Sequence, residues 1–436
     1  MPAAGSRPPN QRRLAWWLAV FAGYAAVVAI VTQGPSRTWG MWATAGYALA
    51  ALAAWRQRGT ALPLLTAAYG AVAAPATWLA DRWQPGSEPA VVARAAVLLV
   101  HHGSPYLPSA QLLSAQSYNP YLPAMTVFGF PSLAGLPRVL GSPAAWMAVV
   151  SLVLVTAAIA IGLPLPRAGG RTVLRYTALA IVTPVLAFPI ALGETDPPEI
   201  ALMCLALACA SRSAAGAPAR TGPRPGSAAS RWITWNGLAA LAIGTACAMK
   251  AIAWPALPVL AAMIVTRDGP RPAGRFAGTA AAAAVVLTAA FAPALLAQPG
   301  AFADNIIAYP LGLTPHLTPA ASPLPGHLLA STGPGRLAAL ILLAAASVGV
   351  AASLVLRPPG NVQAAAVRLA LALAILFTLA PDARFGYFAY PAALAGWACL
   401  TAAPVRKAGQ LASDSGRPSQ PAAGCGHGGE GPNEWT

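Results

Sequence analysis

"LAALILLAAASVGVAASLVL", residues 337–356, runs without a charge between two arginines, Arg336 and Arg357. Wound as a helix at 1.5 Å per residue it reaches about 30 Å, the thickness of a bilayer's hydrocarbon core. The rest of the chain repeats the pattern. Of its 436 residues 57% are hydrophobic and 9% charged, against roughly a quarter charged in a soluble domain. Apolar runs at 14–32, 39–55, 61–80, 144–165, 174–192, 198–212, 236–249, 252–266, 275–297, 366–380 and 385–402 bring the number of spans to about twelve. The expected fold class is an all-α polytopic membrane protein. Its organisation reads as a disordered leader (1–13), a multi-span membrane domain (14–403) with long loops at 81–143 and 298–336, and a flexible tail (404–436). "AGAPARTGPRPGSAASR" (215–231) reads as a flexible loop inside the membrane domain.

Charge placement gives the orientation. A cytoplasmic N-terminus puts most of the 27 Lys and Arg residues inside and leaves Arg37, Arg82, Arg94, Arg138, Lys250, Arg336 and Arg384 outside. The even span number returns the C-terminus to the cytoplasm. The same rule splits 236–266 into two short spans with Lys250 at the outer turn, each about 21 Å long. Spans that short are tolerated where they line a polar cavity. The net charge of +16 is scattered singly between apolar runs, which suits an anionic leaflet and not nucleic acid. No secretory signal is read, because the first apolar run lacks a small-residue cleavage site. Cys204, Cys209, Cys247 and Cys399 lie in apolar segments and Cys425 in the tail, so neither a disulfide framework nor a CxxC metal site is expected.

One stretch breaks the apolar monotony: "HHGSPYLPSAQLLSAQSYNPYLP", 101–123. Its prolines end a helix expected over 88–102, which carries Arg94 and suits the outer interface. At least one of Tyr106, Tyr118 and Tyr121 fits an interfacial anchor. The acids gather on the same side. Asp81 and Glu88 flank the start of this loop, and "GETDPPE" (193–199) forms a short turn between spans with Glu194, Asp196 and Glu199. Two readings stand for that turn: helix capping by Asp196 with a proline-enforced bend, or sugar binding. Adjacent His101 and His102 point about 100° apart on a helix and do not converge on one ion, so no metal is expected. Interfacial placement or hydrogen bonding to phosphate or sugar remains open for them.

In this order the motifs resemble glycosyltransferase family 87, GT-C membrane enzymes that use polyprenyl-phosphate mannose. The resemblance rests on Glu88 before the turn "GSPY" (103–106), "YNPYLPAMTVFGFP" (118–131), "GETDPPEIALMCLALA" from 193, "GTACAMKAIAWPALPVL" (244–260) and "RFGYFAYP" (384–391). Two departures stand beside it: the family's loop acid is usually aspartate, and two apolar spans precede the loop directly where the family has one.

What the resemblance implies is a GT-C-like bundle in a bacterial plasma membrane that transfers a hexose, mannose by the family's donor, to an extracytoplasmic acceptor hydroxyl with inversion. Donor and acceptor would be a polyprenyl-phosphate sugar and a glycan or glycolipid, beside membrane lipid, with no cofactor. The chemistry needs a carboxylate to take the acceptor's proton, here Glu88 with Asp81 as runner-up. Cations must stabilise the departing phosphate, here Lys250 and Arg384. Lys250 has no obvious acidic neighbour in sequence. For Arg384 a structural pair with Asp382, or simple snorkelling, is an equal alternative. His101, His102, Tyr106, Tyr118, Asn119, Tyr121, Glu194 and Asp196 complete the candidate substrate-binding set. A secondary transporter, a lipid-linked sugar flippase or an inactive GT-C relative are the competing readings.

Overall fold

The computed structural model describes residues 9–56, 59–82, 87–164, 168–215, 234–316, 318–332 and 334–402. Among the described residues every regular element is a helix, and the only β feature is an isolated parallel bridge between Ala321 and Ala383. Helix length and hydropathy make this a multi-pass membrane protein. Seven described helices are long and apolar enough to cross a bilayer: Gln11–Val31, Ala61–Asp81, Pro143–Gly162, Ala251–Asp268, Pro270–Phe291, Gly335–Leu356 and Val362–Leu379. An eighth follows if the bent pair Gly170–Ile181 and Pro184–Leu192 is one span.

About twelve were expected. The remaining four runs are also helical, but Trp235–Met249 and Ala389–Thr401 have only 15 and 13 residues. Gly34–Arg56 is held below the hydropathy of a span by its glycines, threonines, tryptophans and Tyr47, and Asp196–Ala215 carries Asp196, Glu199 and Arg212. The first helix starts at Pro9, inside the expected leader. Residues 1–8, most of the loop at 215–231, and the tail with Cys425 lie outside the described residues.

The Asp196–Ala215 helix is the axis of the main core. It is buried on almost every side, as a helix apolar all round must be. Around it pack Pro143–Gly162, Trp235–Met249, Val362–Leu379 and Ala389–Thr401. At its far end Arg212 donates to the carbonyls of Ile161 (2.6 Å) and Leu163 (3.0 Å), satisfying acceptors that the end of the neighbouring helix leaves free.

A second core joins Pro9–Val31, Gly34–Arg56, the 61–81 span and Pro184–Leu192. Two prolines shape it. Pro75 has no N–H for the carbonyl of Ala71, and the indole of Trp39 donates there at 2.8 Å beside the π-helical turn Tyr69–Ala73. Pro184 breaks the helix begun at Gly170, bending it by 75°. Leu186 N–H then bonds to Thr183, and the freed carbonyl of Val182 accepts the Tyr47 hydroxyl at 2.7 Å. Thr183 Oγ1 covers the Ala180 carbonyl that Pro184 cannot reach. The helix from Trp235 likewise stops at Lys250, whose backbone is extended (φ −150°, ψ 145°), and restarts at Ala256 after Pro255.

Candidate functional site

The site is built around a turn. Pro184–Leu192 ends in paired bonds, Glu194 N–H to Pro189 O at 2.9 Å and Gly193 N–H to Ile190 O at 3.2 Å, with Gly193 left-handed at φ +68°. A Cβ on Gly193 would lie 2.1 Å from that of Ala144. Gly193→Ala therefore combines backbone strain with a clash and is expected to lower stability by about 1–3 kcal/mol. Thermal unfolding in detergent checks this, and an unchanged midpoint would contradict it. Beyond the turn, Pro197 and Pro198 sit in the first turn of the Asp196–Ala215 helix, where their missing N–H groups cost nothing.

This turn presents Thr195, Asp196 and Glu199 to three other segments. Glu88, in the first turn of Ser87–His102, is buried against it. Its Oε2 accepts from both Thr195 N–H and Thr195 Oγ1, each at 2.7 Å, and its Oε1 pairs with Arg384 Nη2. The same Nη2 lies 3.8 Å from Asp196 Oδ2. Asp196 Oδ1 pairs with Lys250 Nζ and accepts the Tyr390 hydroxyl at 3.0 Å. Tyr390 also bonds Glu199 Oε2. Lys250 Nζ stands 5.2 Å from the ring centre of Tyr121, and the Arg384 guanidinium 5.1 Å from that of Tyr387. Among the described residues, Asp196 Oδ2, Glu199 Oε1 and Arg384 Nε of this cluster are buried without a hydrogen-bond partner. Two cations and their carboxylates thus share one cluster, buried except at Arg384, whose side chain is 32% exposed.

Burial resists ionisation of Glu88, but the Arg384 and Lys250 cations and the Thr195 donor outweigh it and hold the carboxyl well below the usual range. Glu194 goes the other way. Burial first, then the charge of Glu88, push it up to about 8. The folded state therefore holds more protons than the unfolded one between about 4.5 and about 8, so Glu194 costs stability progressively as pH rises through that window. Glu194→Gln is expected to flatten this decline. Melting midpoints of the two proteins across the window measure it, and equal slopes would refute it.

The polar loop is a scaffold for the cluster. Arg94, expected at an interface, donates instead to the carbonyls of Gln116, Ser117 and Tyr118. Asn119 N–H donates to buried Asn305 Oδ1 at 2.7 Å, Asn119 Nδ2 to Pro105 O at 3.1 Å, and the Tyr106 hydroxyl to Tyr121 O at 2.9 Å. Tyr118 stacks on Tyr309 with ring centres 4.2 Å apart. All three tyrosines of the loop are buried. Leu122 N–H bonds Met249 O at 2.9 Å, docking the loop onto the Lys250 break. Arg384 is fixed from the other long loop: Ser322 N–H bonds Ala383 O at 3.0 Å, and Phe385 N–H bonds Ser322 Oγ at 3.1 Å.

Of the sequence candidates, Glu88, Asp196, Lys250, Arg384 and Tyr121 come together, with Glu194 beside them. Asp81 is exposed at the end of Ala74–Asp81, and His101 and His102 are exposed. Asp382 pairs with Arg336 (3.1 Å), so the Asp382–Arg384 pair, one alternative for Arg384, is not formed. Asp196 spends its carboxylate on Lys250 and Tyr390, not on capping its helix. Lys250, without an acid nearby in sequence, finds Asp196 across the fold. The candidate site set left out Thr195, Glu199, Tyr387 and Tyr390, although Glu199 stood in the acidic turn and both tyrosines in "RFGYFAYP". The i, i+3 spacing of Asp196 and Glu199 on a helix was a usable signal for Glu199.

The chain was compared with family models, curated proteins and solved structures, and it matches none of them.

Proposed function

We propose that this protein is a GT-C-like membrane hexosyltransferase that takes its sugar from a polyprenyl phosphate and delivers it, with inversion, to an acceptor hydroxyl outside the cytoplasm. The observation that carries the reading is the cluster itself. Glu88, Asp196, Lys250 and Arg384 come from four separate segments of a membrane protein; the first three are buried together and the half-buried Arg384 closes on them. Ionisable groups are kept in such surroundings where function needs them. The order of their motifs resembles family 87, which makes mannose the favoured hexose.

The chemistry follows from charge. A sugar phosphodiester gains negative charge on phosphate as the glycosidic bond breaks, so Lys250 and Arg384 favour the transition state over the bound donor. In the closed cluster Glu88 is a weak base, because Arg384 stabilises its ionised form. A phosphate that draws Arg384 away removes that support and strengthens the base as the donor arrives. Tyr121, with its ring beside Lys250, lines the same place. The orientation, cytoplasmic termini with the cluster outside, follows from the arginine distribution.

Membranes containing the protein, given radiolabelled polyprenyl-phosphate mannose, are expected to pass label to a glycan or glycolipid. No transfer from any lipid-linked hexose would overturn the reading. The bent pair at 170–192 and the break at Lys250 favour a second one, a flippase or secondary transporter, since discontinuous helices mark transport sites. Movement of intact polyprenyl-phosphate sugar across proteoliposomes, without transfer, would select it.

A further inference from the structure

Tyr390 is enclosed between two carboxyl groups that stand on one side of the Asp196–Ala215 helix. Asp196, Glu199 and Tyr390 are each at most 1% exposed. The Tyr390 hydroxyl lies within hydrogen-bond reach of Asp196 Oδ1 and of Glu199 Oε2. A phenol donates one proton, and an ionised carboxylate only accepts. Two such contacts from one hydroxyl need a second proton. Electrostatics decides where it sits. Asp196 has the Lys250 ammonium on Oδ1 and Arg384 3.8 Å from Oδ2, whereas no described cation pairs with Glu199. An unpaired carboxyl in an apolar helix is cheaper neutral than charged.

We infer that Glu199 is a buried proton-binding site, its neutral carboxyl donating to the Tyr390 hydroxyl, which in turn donates to ionised Asp196. The titratable groups facing it are Asp196 on its own helix, Lys250 and Cys247 on the neighbouring segment, and Tyr390. With this proton in place, Lys250 and Arg384 balance Glu88 and Asp196, Glu194 being neutral below about 8. Its loss leaves the cluster with an excess negative charge. If the cluster binds a lipid phosphate, a consequence that rests on the proposed function, that affinity falls as Glu199 ionises.

Infrared difference spectroscopy of the purified full-length protein tests the proton without any assumption about activity. Subtracting the Glu199→Gln spectrum from that of wild type at neutral pH is expected to reveal one protonated-carboxyl stretch, slow to shift in deuterated water. Tyr390→Phe, which keeps the acid but removes its acceptor, is expected to move the same band to higher frequency. A difference spectrum without that band overturns the inference, as does a band lost in Asp196→Asn but kept in Glu199→Gln. Should Glu199→Gln fail to fold, an unshifted carboxyl region in Tyr390→Phe overturns it alone. Polyprenyl phosphate binding, titrated over the same proteins, is read separately. A missing affinity with the band present sinks the phosphate reading and upholds the proton site.

Discussion

Glu88→Gln is expected to lower hexose transfer by roughly 10²–10⁴-fold, the range that loss of a positioned general base produces. The substitution is close to isosteric. A glutamine oxygen still accepts from Thr195 N–H and Oγ1, so the contact that holds the helix start against the turn survives. What disappears is the ability to take a proton and the charge opposite Arg384. That guanidinium retains Asp196 Oδ2, 3.8 Å away, so it is not left without an anion. The loss should therefore fall on turnover more than on folding, with melting changed little beside the change in rate. Asp81→Asn is the internal control. Asp81 is exposed, and its side chain enters no ion pair among the described residues, so label transfer should persist. The reverse pattern, transfer intact in Glu88→Gln and lost in Asp81→Asn, would move the base to Asp81 and detach the buried cluster from the chemistry.

Much of the fold was legible because a bilayer imposes a length and an apolar composition that a linear reading can count. Every apolar run became a helix, and the break at Lys250, inferred only from where arginines belong, appears as an extended residue between two helices. The bend at Pro184 was not read, since 174–192 looks continuous in hydropathy. It needs Tyr47 and Thr183 to cover the freed carbonyls, which no local rule shows. The site divides in the same way. Lone cations in apolar surroundings drew notice to Lys250 and Arg384, but the acid that holds Arg384 is 296 residues away. Asp382, two residues off, was one alternative partner and belongs to Arg336. The tyrosines and Asn119 of the polar loop looked like ligand-binding groups. Most of their polar atoms serve backbone closure, because a loop buried without such bonds would leave its amides unsatisfied.

Lys250→Met is expected to destabilise the protein by about 3 kcal/mol, the low end of the cost of breaking a buried pair, because Asp196 still has Arg384 Nη2 3.8 Å from its Oδ2. Asp196 is 1% exposed and keeps only Tyr390 as a hydrogen bond once the ammonium is gone, with Arg384 too distant to donate. The methionine fills much of the lysine's volume, so packing contributes little to the loss. Adding Asp196→Asn should recover part of it, because the double variant buries no unpaired charge at this pair, and the coupling should be at least as large as the stability recovered. Unfolding of the four proteins of the cycle in one detergent measures it. Additive effects, or a Lys250→Met protein as stable as wild type, would mean that the ammonium is solvated and not paired. The same cycle separates structure from function. A double variant that regains stability but binds no polyprenyl phosphate identifies Lys250 as a ligand-binding cation, whereas one that regains both leaves Arg384 as the sole candidate for the phosphate.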